Sequence, residues 1–227
     1  MRRLLFVFFS FLVLTSCVNI QPTEMDEGVI TYKIIYPNEL EDKSYSSLLP
    51  SKMVSTFKGK NYKLSIKGEL SLYNLEYISK ADGDSSATLF RIFDQRLFHK
   101  HEQDEHLFLF ERLEKTNVDF ISNETKEIAG ILCNKAIVHF TNSELKNITV
   151  YYTEEIKINR PKENSPFDDI PGALMEFQVS FQDLELQFSA QDVDIKKVKN
   201  SSFDIPKNYK HSERGEIDEI VASLIQL

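Results

Sequence analysis

Residues 174–190, LMEFQVSFQDLELQFSA, decide the fold class. Met175, Phe177, Val179 and Phe181 alternate with Glu176, Gln178, Ser180 and Gln182. After Asp183 the alternation resumes, with Leu184, Leu186, Phe188 and Ala190 set against Glu185, Gln187 and Ser189. Side chains on a strand point alternately to its two faces, so each run carries one apolar and one polar side. The parity shift across Gln182-Asp183 is what a two-residue hairpin demands, because Phe181 and Leu184 must then face the same way. A strand pair with one greasy face belongs to a sheet covered on that side only.

Outward from this hairpin, short runs rich in Val, Ile, Tyr and Phe recur between turn residues. They predict further strands over 29–36, 62–67, 71–79, 87–93, 96–101, 107–113, 118–123, 132–141, 148–153 and 193–198. Such close spacing argues for an antiparallel meander and against βαβ units. Leu107-Phe108-Leu109-Phe110 is apolar on both faces and predicts a strand buried on both sides. Two short helices are expected. One covers 50–57, with Pro50 in its first turn and Gly59 just beyond its end. The other follows Ser212, where Ile217, Ile220, Val221 and Leu224 fall at i, i+3, i+4 and i+7 and form a stripe able to dock on the sheet.

The start of the chain addresses its location. Arg2 and Arg3 precede an apolar run from Leu4 to Leu14, and the run closes on Leu14-Thr15-Ser16-Cys17. A basic n-region, a short apolar core and a small residue before the cut mark a secretory signal. The stretch from Leu4 to Ser16 is 13 residues, short of the roughly 20 that cross a bilayer. The expected organisation is a signal peptide at 1–16, a polar tether at 17–27 and a single β-rich domain at 28–227.

Formal charge is −8, and removal of Arg2 and Arg3 with the leader makes it −10. An acidic chain offers no electrostatic footprint for nucleic acid or for an anionic membrane surface. With Cys17 modified, Cys133 is the remaining thiol, so no intramolecular disulfide can form, and a lone thiol of this kind is expected to be buried.

The densest group of candidate chemistry is His99, His101, Glu102, Asp104, Glu105 and His106. His99 and His101 share a strand face, and imidazoles with carboxylates can bind transition metals. The spacing from His101 to His106 is one residue longer than a zinc-protease motif. On a helix, i and i+5 lie about 140° apart, so the segment is expected to be a solvated hairpin tip. Asp82-Gly83-Asp84 lacks the third acid and the distal glutamate of an EF-hand loop. Glu154-Glu155 and Asp168-Asp169 would point to opposite sides of an extended chain. Neither a nucleophile elbow, nor a C-x-x-C pair, nor a glycine-rich phosphate loop occurs. The expectation is a non-enzymatic protein without cofactor, metal or catalytic residues.

Three stretches carry a family resemblance. Residues 128–136, IAGILCNKA, resemble a strand of the GLPGLI-type envelope proteins of Gram-negative bacteria, and 150–156, VYYTEEI, resembles the strand that follows it there. Residues 170–177, IPGALMEF, resemble the element that names that family, with Asp169 in place of its first glycine. Residues 203–209, FDIPKNY, resemble the closing strand of related envelope lipoproteins. The segment ending in Cys17 resembles the lipobox of bacterial lipoproteins, in which the thiol is acylated and becomes the new N-terminus. These resemblances imply a LolA/LolB-like half-barrel, a curved antiparallel sheet wrapped over a few short helices in a mainly β (α+β) fold. They imply no established enzymatic activity.

The combined expectation is a lipoprotein anchored through Cys17 to the outer membrane and facing the periplasm. Its concave face would take a hydrophobic ligand or lipidated chain against Met175, Phe177, Val179, Phe181, Leu184, Leu186 and Phe188. The alternative is an envelope assembly protein that works through its surface, on a protein partner, without a small ligand.

Overall fold

The computed structural model describes residues 25–37, 49–80, 86–102, 105, 116–141, 146–158, 165–181 and 184–225. The signal peptide, Cys17, most of the tether, the predicted 107–113 strand and the Gln182-Asp183 turn lie outside the described residues. The first half contributes β1 (Glu27–Ile35), β2 (Lys52–Lys58), β3 (Asn61–Lys67), β4 (Tyr73–Ser79), β5 (Ser86–Ile92) and β6 (Gln95–Lys100). The second contributes β7 (Thr116–Ile128), β8 (Ile131–Phe140), β9 (Ile148–Thr153), β10 (Ala173–Phe181), β11 (Leu184–Asp194), β12 (Lys210–His211) and α1 (Arg214–Ile225).

The strands form one mixed sheet in the order β12-β6-β5-β4-β3-β2-β1-β11-β10-β9-β8-β7. Two antiparallel meanders, β1–β6 and β7–β11, are joined where β1 pairs with β11. The short β12 runs parallel to β6. The decisive hairpin takes its expected register, with Phe181 opposite Leu184 and Phe177 opposite Phe188. Pairing begins earlier than position 28: β1 starts at Glu27, and Met25 bridges Ile156.

The expected half-barrel is not what forms. The order is linear, β12 and β7 are its outer strands, and the sheet neither closes nor curls strongly. A half-barrel also needs helices to fill its hollow, and among the described residues α1 is the single α-helix. The helix expected over 50–57 is β2. Met53, Ser55 and Phe57 are buried while Val54 and Thr56 are half-exposed, a period of two that the Pro50 and Gly59 signals concealed. The strand expected at 184–190 continues as β11 through Asp194, and of the strand expected at 193–198 only Val193 and Asp194 belong to it.

The main core is built mostly from strand side chains: Ile30, Tyr32 and Ile34 of β1, Met53 and Phe57 of β2, and Met175, Phe177, Val179, Leu186 and Phe188 of the hairpin, with Phe167 and Ile170 from the preceding loop. Strand β5 is different. Ala87, Thr88, Leu89 and Phe90 are buried in succession, so both of its faces are covered. After β11 the chain crosses one face, where Val198 and Phe203 pack on Ile78, Ala87 and Leu89. It then rounds the sheet edge as β12, and α1 covers the other face, with Ile217 and Val221 against Phe90. The apolar stripe following Ser212 thus docks on the sheet. Each fully buried side chain of this arm contributes about 1.5–3 kcal/mol.

Candidate functional site

The structure turns the apolar hairpin face into packed interior. Phe177 stacks on Phe188 with centroids 4.9 Å apart, Phe167 meets Phe177 edge-on at 5.5 Å, and Tyr32 does so at 6.0 Å. The Tyr32 hydroxyl donates to the Leu174 carbonyl at 2.7 Å, which gives that polar tip a partner. Met175, Val179 and Leu186 are buried in the same cluster. Phe181 and Leu184 oppose each other in the backbone register. Cys133 is buried, its thiol donates to the Ile131 carbonyl, and burial raises its pKa to about 11. A thiol held protonated in this way is a poor nucleophile.

The histidine segment is the richest polar constellation among the described residues, and it is not a solvated tip. His99 and His101 share a face of β6 and its extension, with rings 5.6 Å apart, and the His101 side chain is 5% exposed. Glu105 folds back beneath them. Its carboxylate accepts from the Glu102 amide at 2.9 Å and from Arg214 Nη1 at 2.9 Å, and both its oxygens lie 3.0 Å from His99 Nε2. His99 Nδ1 faces the Ser212 carbonyl at 3.3 Å, and His101 Nε2 meets the Thr88 hydroxyl at 2.8 Å. The Ser212 hydroxyl in turn bonds the Glu216 carboxylate. Both partners of His99, a carboxylate and a backbone carbonyl, accept hydrogen bonds.

This arrangement ties three elements. Glu105 follows β6, Ser212 follows β12, and Arg214 opens α1, so one carboxylate holds the arm against the sheet edge. Among the described residues no group of three or more His, Cys, Asp or Glu could hold a metal ion. His106 and Asp82-Gly83-Asp84 lie outside the described residues. Glu154-Glu155 follows β9 and Asp168-Asp169 precedes β10, apart from this cluster. The histidines were visible in the sequence; Arg214 and Ser212 were not, because only the parallel pairing of Lys210 with Leu97 brings them there.

Burial lowers the pKa of His101 from 6.5 to about 4, against the opposing pull of Glu105 and with help from His99 and Arg214. Burial alone would raise that of Glu105. The Glu102 amide, His99 and Arg214 more than offset it and bring the value from 4.5 to about 2. At both groups the unfolded chain takes up a proton at higher pH than the folded one, so acid favours unfolding. Stability should fall first between pH 6.5 and 4 as His101 titrates in the unfolded state, then further between 4.5 and 2 through Glu105. The His101 part amounts to at most about 3 kcal/mol. His101→Gln, which keeps a bond to Thr88, should flatten the upper window in urea melts run from pH 7 to 4. An unchanged slope there would show that the imidazole is not the sensing group.

No family model and no curated protein matches the sequence. The chain is similar in shape to a crystal structure of a β-barrel-like protein of a domain of unknown function, DUF1849, from Brucella abortus. The identity is 9%, the TM-score is 0.40, and the match covers 78% of this chain and 100% of that one.

Proposed function

We propose that this is a non-enzymatic lipoprotein of the Gram-negative cell envelope, anchored through Cys17 to the outer membrane, facing the periplasm and acting through its surface on an envelope partner. The observation that carries the surface reading is the interlocked stack of Phe167, Phe177 and Phe188, which gives the apolar hairpin face an occupant from the chain itself. The anchor is supported by the leader and by Leu14-Thr15-Ser16-Cys17. An acyl-modified N-terminal cysteine carries more than one chain, and two or more chains make anchoring durable. The resemblance of residues 128–136 and 150–156 to envelope proteins supports the same compartment.

Intact mass spectrometry of protein purified from membranes tests the anchor. The expected species lacks residues 1–16 and carries fatty acyl groups on Cys17. Cys17→Ser should abolish metabolic labelling with palmitate and release the protein from sedimenting membranes. Native protein that keeps Met1, or that retains no acyl label, refutes the assignment. Native mass spectrometry tests the surface reading: a stable protein complex supports it, and a stoichiometric lipid held by the delipidated domain overturns it.

A further inference from the structure

The net acidity of the chain hides one strongly cationic line. In register, Lys33 of β1 faces Lys52 of β2, and Lys52 comes directly after the Met53–Ile66 pair and so lies beside Lys67 of β3. Lys67 faces Asn74, Asn74 faces Arg91, and Arg91 faces Arg96. Residues directly opposite across a sheet point to the same side. Six adjacent strands therefore present Lys, Lys, Lys, Asn, Arg and Arg in one straight row, about 24 Å long at the usual strand spacing. Among the described residues none of the five cations is in an ion pair with a carboxylate. Arg91 donates to the Ser71 carbonyl and Arg96 to the Asp94 carbonyl, which draws both guanidiniums toward the same end of the sheet. Among the described residues, Glu69, held by the Ser51 hydroxyl, and Asp94 are the acids beside the row at that end, against five cations.

Two bare apolar side chains stand at this end. Leu70, between β3 and β4, is 90% exposed, and Phe93, between β5 and β6, is 69% exposed. Both occupy the left-handed region, at φ +51° and +50°. Bulky residues held there cost of order 1 kcal/mol or more each, and such strain gathers at functional sites. The two turns are joined, since the Phe93 amide donates to the Leu72 carbonyl at 3.2 Å. Like charges placed directly opposite, as in Lys33–Lys52 and Arg91–Arg96, also oppose folding. The exposure of the apolar prongs and the repulsion within the cationic line are both relieved by one kind of surface, negative charge over hydrocarbon.

We infer that the Leu70–Phe93 end of the sheet, with the row Lys33, Lys52, Lys67, Arg91 and Arg96, docks on an anionic lipid bilayer. Leu70 and Phe93 enter the acyl boundary and the row meets the headgroup phosphates. A nucleic acid would match the charge but leave the prongs in water. The surface goes beyond the lipid anchor and does not depend on it. This end is opposite Met25, where the chain is already bridged to Ile156, but the eight residues from Cys17 to that bridge reach at most ~29 Å, more than the ~23 Å length of a seven-residue strand. One bilayer can thus meet both anchor and tip.

The chain contains no tryptophan, so Phe93→Trp in the otherwise unaltered protein gives a single reporter at the tip. Phosphatidylglycerol vesicles should shift its emission to the blue, brominated acyl chains should quench it, and phosphatidylcholine vesicles should do neither. Leu132→Trp, at an exposed site on β8, should not respond. Lys52→Gln and Lys67→Gln should each weaken the response about fivefold. If Phe93→Trp fails to fold, Leu70→Trp carries the same test. The inference is overturned by silence with phosphatidylglycerol, by an equal response at position 132, by indifference to the lysine variants, or by the same shift with soluble glycerol phosphate or only with a protein partner. Loss of acylation at Cys17 would overturn the proposed anchor and leave this readout intact.

Discussion

Phe188→Ala is expected to remove about 3–5 kcal/mol of stability, read as a lower denaturant midpoint with little change in slope. The ring is buried where the two meanders join. It faces Phe177 on β10, on which it stacks, and Ile34 on β1. Neither neighbour can follow the lost atoms, because Phe177 is also held edge-on by Phe167 and Tyr32. The residual void therefore adds to the lost transfer energy. Against a total of 5–15 kcal/mol for a typical domain, this one change brings the protein near its threshold. Gln187→Ala, on the opposite face of the same strand, should stay within about 0.5 kcal/mol. A loss below about 1 kcal/mol at Phe188 would mean that the interior is loosely filled, and it would restore the case for a hydrophobic ligand against this face.

Elements whose local signals agree with their surroundings were legible in the sequence. The 174–190 hairpin announced its own register, because alternation broke at the two turn residues. The strand at 148–153 has the bounds its composition suggested, and the stripe of Ile217 and Val221 packs as its spacing implied. The misreadings have physical causes. In β2 the buried positions are Met53, Ser55 and Phe57, so a hydroxyl sits inside while Val54 looks outward. That pattern erases the alternation and leaves the proline and glycine punctuation to suggest a helix. The half-barrel followed from family resemblance, and the many strands, one-sided alternation and two expected helices agreed with it; one of those helices is β2. Curvature and closure depend on how distant strands meet, which local pattern does not encode.

Both functional features were out of reach for the same reason. Arg214 stands 109 residues from Glu105, and its approach depends on the arm rounding the sheet edge. The five cations of the row are scattered from position 33 to 96, and none is remarkable in its own neighbourhood. Only the accumulated register of six strands places them in line, so net charge, the quantity a sequence yields first, pointed the other way. Leu70 and Phe93 were equally silent, since an exposed apolar residue means something only when its backbone is also strained.

Gly172→Ala should cost about 2–5 kcal/mol, far more than a single methyl group normally does on a surface turn. Gly172 sits at φ +67°, immediately before β10, and an added Cβ would lie 2.1 Å from the Thr153 carbonyl oxygen. Thr153 pairs with Ala173 in the β9–β10 ladder, so the obstructing atom is backbone and cannot swing aside. Relief requires the start of β10 to withdraw from β9, and that moves Leu174, whose carbonyl receives the Tyr32 hydroxyl across the core. Gly130→Ala separates the two contributions. Gly130 has φ +77° but open space where its Cβ would go, so it should show only the left-handed penalty of about 1–2 kcal/mol. The excess at Gly172, measured as the difference between the two denaturant midpoints, reports the close approach itself. Equal losses would mean that β9 and β10 can part locally without cost. The glycine of Ile170-Pro171-Gly172 would then serve the turn alone and not the contact between strands.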